Sequence, residues 1–144
     1  RQNLDRILSH GLEADARLSL GATRIAASMA LVDAEMRGGG LDGLRPAQAP
    51  RFSASLSVAH SIAGVEGAVT LRHLGERYED DRNTRPLPAA TTLDASLAVP
   101  LAHGLQLQLA AENLTDAEVA SGYSGSQYER GQPRTLWIGL RAAL

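Results

Sequence analysis

With 144 residues, the chain has the length of one domain. It contains no cysteine, which removes a disulfide scaffold, a thiolate metal site and a cysteine nucleophile. Its formal net charge of -2 offers none of the basic surface that a nucleic-acid partner requires. No apolar run approaches the roughly 18 residues of a membrane helix, but a barrel crosses with alternating strands of only about 10 residues.

Alternation begins near the start. Leu12, Ala14, Ala16, Leu18 and Leu20 interleave with Glu13, Asp15, Arg17 and Ser19, which predicts a strand over 3–20 with one apolar and one polar face. Gly21-Ala22 then makes a tight turn. Segment 22–36 is ambiguous by itself. Ile25, Met29, Val32 and Met36 fall at helical spacing in an alanine-rich stretch, while Ile25, Ala27, Met29 and Leu31 also alternate. Its neighbours assign it to a strand. A long connection from Arg37 to Ala49 carries Gly38, Gly39 and Gly40.

Strand 50–63 alternates Phe52, Ala54, Leu56, Val58 and Ile62 with serines, and Ala63-Gly64 turns the chain into strand 65–79. A polar loop with two prolines, Asp80 to Ala90, leads to strand 91–101, where Leu93, Ala95, Leu97, Val99 and Leu101 share a parity. The turn Ala102-His103-Gly104 precedes strand 105–114, built on Leu105, Leu107 and Leu109. The loop Thr115 to Gln132 is followed by a last strand, 133–144, with Leu136, Ile138, Leu140 and Leu144 on one face. Short turns therefore alternate with long polar loops, the plan of an up-and-down outer-membrane barrel. Seven strands are too many to leave open and too few for an even-numbered barrel, so further strands are expected upstream. Arg1 to Leu8 also lack the basic start and apolar run of a signal peptide, and export likewise implies sequence ahead of Arg1.

Chemistry-bearing residues are sparse. His10, His60 and His73 fall on the apolar parity of separate segments and His103 lies in a turn, without the convergent spacing of metal ligands. The run Ser121 to Ser126 lacks the spacing of a nucleophile elbow and reads as a flexible loop. The three glycines at 38–40 are not followed by the lysine of a phosphate-binding loop. No catalytic residue, metal site or cofactor emerges. The candidate ligand contacts all lie at or within the long loops: Tyr78, Asp80, Asp81, Asn83, Arg85, Tyr123 and Tyr128. For the charged run 79–85 the alternative is a loop that is polar because it is solvated. On the polar parity lie Asp15, Arg17, Arg24, Arg72, Asp94, Glu112 and Arg141. A turn centred on His103 sets Asp94 opposite Glu112, a like-charge pair that calls for a cation, with Arg72 as one candidate and an arginine from elsewhere in the protein as another.

Four runs in order resemble the C-terminal barrel of TonB-dependent outer-membrane receptors: LDGLRPAQAPRFSASLSV (41–58), RHLGERYEDDRNTRPLPAATTLDASLAVPL (72–101), AENLTD (111–116) and GQPRTLWIGLRAAL (131–144). The resemblance implies a transmembrane barrel of about 22 strands with a plugged lumen, of which residues 1–144 are the C-terminal portion, without the plug or the earlier strands. It further implies import of a small scarce ligand such as an iron–siderophore or cobalamin-like compound, with outer-membrane lipid, the plug, the remaining strands and TonB as partners. Two features depart from the family. The chain ends on Leu144 where an aromatic residue is usual, and only Phe52, Tyr78, Tyr123, Tyr128 and Trp137 are available for aromatic girdles, Trp137 falling on the lumenal parity. The competing expectations are a small self-contained outer-membrane barrel, acting as adhesin or enzyme, and a soluble lipocalin-like or β-sandwich binder.

Overall fold

A computed structural model describes residues 6–142. It contains strands β1 (Arg6–Leu20), β2 (Thr23–Arg37), β3 (Phe52–Ile62), β4 (Val65–Leu74), β5 (Arg77–Tyr78), β6 (Pro86–Leu87), β7 (Ala90–Pro100), β8 (Leu105–Glu112), β9 (Ala120–Ser124), β10 (Gln127–Arg130) and β11 (Thr135–Ala142). Seven of them form one antiparallel sheet in the order β1-β2-β3-β4-β7-β8-β11. Each strand of this sheet lies beside the next one in the chain. Two small hairpins, β5–β6 and β9–β10, rise from long loops. The ambiguous segment 22–36 is a strand, and all seven predicted strands are present. The parts of the first and last predictions that fall on 3–5 and 143–144, Leu144 included, lie outside the described residues.

Registers explain why the alternation reads so clearly. Leu18, Ile25, Val58, Val69 and Ala95 are partners in one row across five strands. Ala95 then pairs with Ala111, and Ala111 with Leu136. Because cross-strand partners share a face, the apolar parities of all seven strands fall on one side and the polar parities on the other. Trp137 pairs with Ala110, and so belongs to the polar face as its parity predicted.

The turns satisfy the geometry that the sequence offered them. At Ala63-Gly64 both residues take positive φ, 50° and 82°, the twist that matches a two-residue hairpin. Strand β4 stops at Leu74 rather than running to 79. The amide of Gly75 donates to the carbonyl of Phe52 at 2.8 Å, and a Cβ at 75 would lie 2.6 Å from that same oxygen. A glycine is needed where the two backbones approach so closely. Beyond it the chain leaves the sheet and makes the separate hairpin β5–β6.

The sheet is a single layer. Buried apolar residues among the described ones are Ala34, Met36, Leu41, Leu87 and Ala120, with Met36 and Leu87 fully buried, clustered where the long loops meet the strands. On the apolar face Leu12, Leu71 and Ile138 remain 60%, 43% and 77% exposed. A soluble sandwich or lipocalin would bury that face against a second layer or a closed interior. No such layer exists among the described residues. The sheet is also open, with β1 and β11 at its two margins.

Candidate functional site

All three short turns lie at one end of the sheet and all three long loops, 38–51, 75–89 and 113–134, at the other. The long loops are not independent. The side-chain amide of Asn83 donates to the carbonyl of Arg45 at 2.8 Å, and its Oδ1 accepts the amide of Arg45 at 2.9 Å. Asn83 holds φ at 56°, a conformation that asparagine tolerates better than most residues. The Asp81 carboxylate accepts the amide of Ala47 at 2.9 Å. The Arg45 guanidinium stacks 4.8 Å from the centre of the Tyr78 ring. Three of the predicted contacts, Tyr78, Asp81 and Asn83, thus tie the second loop to the first.

Asp80 works within its own loop. Its carboxylate accepts the Thr84 hydroxyl at 2.8 Å and the amides of Thr84 and Arg85 at 3.0 and 2.9 Å. Burial alone would raise its pKa, but these donors outweigh that and hold the carboxyl below its usual range. Arg85, Tyr123 and Tyr128 form a second group. The Arg85 guanidinium lies 5.8 Å from the centre of the Tyr123 ring, and the two tyrosine rings pack 4.8 Å apart, inclined by 45°. Tyr123 donates its hydroxyl to the Pro86 carbonyl at 3.0 Å, while Tyr128 is 51% exposed. The run Ser121 to Ser126, expected to be a flexible loop, instead belongs to the hairpin β9–β10 that carries these rings, with Gly125 supplying a positive φ of 63° at its tip.

Three residues that no sequence pattern singled out connect the group. Arg45 pairs with Glu76 at 3.7 Å as well as stacking on Tyr78. Gln48 and the buried Arg77 bridge the loops, Arg77 donating from Nε to Gln48 at 2.9 Å and from Nη2 to the Ala120 carbonyl at 2.8 Å. Burial lowers the pKa of Arg77 and the nearby Glu79 opposes the shift. A buried arginine that depends on partners 29 and 43 positions away leaves no local signature in a sequence.

The polar face below the loops carries a groove of about 530 Å³ lined by Glu13, Asp15, Ser28, Ser55, Arg72 and Thr92. Asp94 and Glu112 both stand on this face, each one residue beyond the last pair of their strands, Ala95 with Ala111, and Arg72 forms the ion pair to Asp94. The expected cation is therefore the one in place. Cross-strand hydroxyl pairs, Ser28–Ser55 and Ser57–Thr70, each at 2.9 Å, line the same wall. On the apolar face His60 pairs with Thr23 and His73 with Thr91, both at 2.8 Å, and His73 also packs against Phe52. Among the described residues, no group of three or more histidine, aspartate or glutamate side chains converges as a metal site would require.

Comparison with known proteins adds to this geometry. The family model for TonB-dependent receptor-like β-barrels matches residues 1–114. The chain belongs to that family. Its members are transport receptors of the Gram-negative outer membrane. A ferrioxamine receptor of Yersinia enterocolitica is 32% identical over 105 residues, covering 67% of this chain and 15% of that protein. The ferric yersiniabactin uptake receptor of Yersinia pestis shares the fold with a TM-score of 0.86 at 20% identity, over 93% of this chain and 23% of that one. The unliganded ferric citrate transporter gives 0.79 at 24% identity, over 92% and 23%. This TonB-dependent receptor barrel chain therefore spans 15% of the curated relative's length and 23% of each of these two structures.

Proposed function

We propose that the chain is the C-terminal portion of a receptor barrel in the bacterial outer membrane, serving TonB-energised uptake of a scarce iron–siderophore. It supplies lipid-facing wall, lumenal wall and three extracellular loops. The plug, the remaining strands and TonB are contributed by the rest of the system, and the role of this segment is binding and passage rather than covalent chemistry. The observation that carries the reading is the sorting of the sheet. A face dominated by leucine, valine, isoleucine and alanine, a polar face bearing charges and hydroxyls, and loops joined at one end suit a wall between lipid and an aqueous lumen.

Within this reading Tyr78, Asp80, Asp81, Asn83, Arg85, Tyr123 and Tyr128 divide the work. Tyr78, Asp80, Asp81 and Asn83 shape the loops, while Arg85, Tyr123 and Tyr128 present an aromatic and cationic face to a ligand. The likeness to a ferrioxamine receptor supports a ferric hydroxamate as the first compound to try. The test is uptake of radio-iron-labelled ferrioxamine by cells that carry the full reading frame, against cells in which it is deleted. Energy-dependent uptake lost on deletion and restored by the gene is the expected result. Equal uptake in both strains, repeated with ferric citrate and a ferric catecholate, would remove the siderophore assignment.

A further inference from the structure

We propose that Arg77 and Gln48 are positioning residues that join the three long loops into one body, so that the face made by Arg85, Tyr123 and Tyr128 exists before ligand arrives. The part concerning that face rests on the ligand-binding reading above; the joining of the loops does not.

Connectivity carries the argument. Among the described residues, the hydrogen bonds that link one long loop to another all include the middle loop, 75–89. It meets the first loop through Tyr78, Glu79, Asp81 and Asn83, and the third through Arg77 and Pro86. Arg77 is the one middle-loop side chain with hydrogen bonds to both neighbours, to Gln48 on one side and Ala120 on the other. It is also only 6% exposed, and its Nη1 has no hydrogen-bond partner among the described residues. A guanidinium so buried is tolerated only through the bonds it does make. If the first or the third loop moved away alone, one of the two partners that hold the guanidinium would be lost.

Gln48 shows the same design from the other side. It holds φ at 58°, a conformation disfavoured for a residue with a side chain. In that conformation its amide donates to the Tyr78 carbonyl at 2.7 Å. Its side-chain oxygen accepts Arg77, and its side-chain nitrogen donates to Glu79 at 2.6 Å. One strained residue thus meets three consecutive residues of the middle loop. Strain of this kind persists where the surroundings over-determine it. The loops therefore move together or not at all, and ligand meets a preformed surface.

The experiment is hydrogen exchange on the full receptor in vesicles, without ligand, comparing wild type with Arg77→Gln, Gln48→Ala and the double variant. Loss of one charge-assisted hydrogen bond corresponds to roughly tenfold faster exchange. The expected pattern is acceleration of that order across 38–51, 75–89 and 113–134 together, with the seven wall strands unchanged. Gln48→Ala is the more telling variant, because Gln48 makes no hydrogen bond to 113–134 yet should speed exchange there. The double variant should exceed the larger single effect only slightly. Acceleration confined to the loop that carries the substitution, or none, overturns the proposal. If Arg77→Gln fails to assemble, Gln48→Ala decides alone. Binding of radio-iron-labelled ferrioxamine by Tyr128→Ala separately tests the reading of the face, and its outcome leaves the exchange result standing.

Discussion

In the seven-strand wall, neighbours meet residue for residue and a side chain's role follows from its parity. In the three long loops each contact joins particular residues far apart in the sequence, and parity says nothing. The wall is consequently tolerant of identity and strict about face: Ala27 can oppose Leu56, and Val69 can oppose Ala95, provided all of them point to the same side. The loop cluster is the reverse. Asn83 could not be exchanged for another polar residue without losing one of its two bonds to Arg45, although its surroundings are polar throughout. Stability in the wall is spread over rows of similar contacts, whereas in the loops it is concentrated in a few residues with several bonds each.

The sharpest way to break this comparison is to move a charge from one face of the wall to the other. Leu71→Arg on the outer face of β4 should cost roughly 2–4 kcal/mol if that face lies in lipid near the midplane. Thr70→Arg, one residue away, lies on the polar face opposite Asp94 and should change stability by about 1 kcal/mol or less, the worth of the hydroxyl bond to Ser57 that it gives up. Urea unfolding of the full receptor in vesicles measures both. Equal losses would mean that the two faces are not lipid and water, and the wall as described would fail.

A smaller effect sharpens the other half. Asn113 opens the third loop at the end of β8, is 4% exposed and holds φ at 48°. Its side chain accepts the amide of Ala117 and donates to the carbonyls of Ala117 and Gln132, at 2.9, 2.9 and 3.1 Å. Asn113→Ala removes three part-buried hydrogen bonds at once, and a cost of about 1–2 kcal/mol is expected. Glu118→Ala, five residues on, removes an ion pair to Arg130 in which both side chains are 77% exposed, and should cost about 0.5 kcal/mol or less. Both residues are polar and in the same loop, and exchange rates over 113–134 would separate them. If the two variants behaved alike, the idea that loop stability is concentrated in multiply bonded residues would be wrong.

The same contrast explains what could be read from the residues alone. Strands and turns were legible because each depends on neighbours in the sequence: Leu12 to Leu20 alternate, Ala63-Gly64 can take positive φ, and the register follows from the turn. Even the shared face of Asp94 and Glu112, and Arg72 as a candidate partner, follow from counting outward from His103. Segment 22–36 is ambiguous by itself because its alanines favour helix while its apolar residues fit both spacings; its neighbours assign it to a strand, and pairing with β1 and β3 holds it there. The hairpin β9–β10 escaped notice because Ser121 to Ser126 has no apolar alternation; its order comes from Tyr123 meeting Tyr128 and Pro86. The loop tyrosines and charges are legible by type and position, but which of them bond from loop to loop is not, since that depends on Arg45, Gln48 and Arg77. Whether Arg85, Tyr123 and Tyr128 meet a ligand is what Tyr128→Ala tests.

The smallest effect concerns pH and isolates one loop from everything else. The Asp80 carboxyl sits below its ordinary value near 3.8 because donors from Thr84 and Arg85 favour its charged form more than partial burial disfavours it. A group whose pKa is lower in the folded state contributes its stability in full above the unfolded value and loses it as pH falls through the folded one. The turn 80–85 should therefore be steady from neutral pH down to about pH 4 and loosen below it, by less than about 1 kcal/mol because the carboxylate is near water. Amide chemical shifts of Thr84 and Arg85 report this directly, since both amides donate to Asp80. Asp80→Asn should remove the titration, because an amide oxygen accepts these bonds without changing charge. Wall strands are the internal control: their amides bond to backbone carbonyls that do not titrate, so a shift shared by β3 and β4 over the same range would mean that the acid acts on the whole molecule and not on this turn.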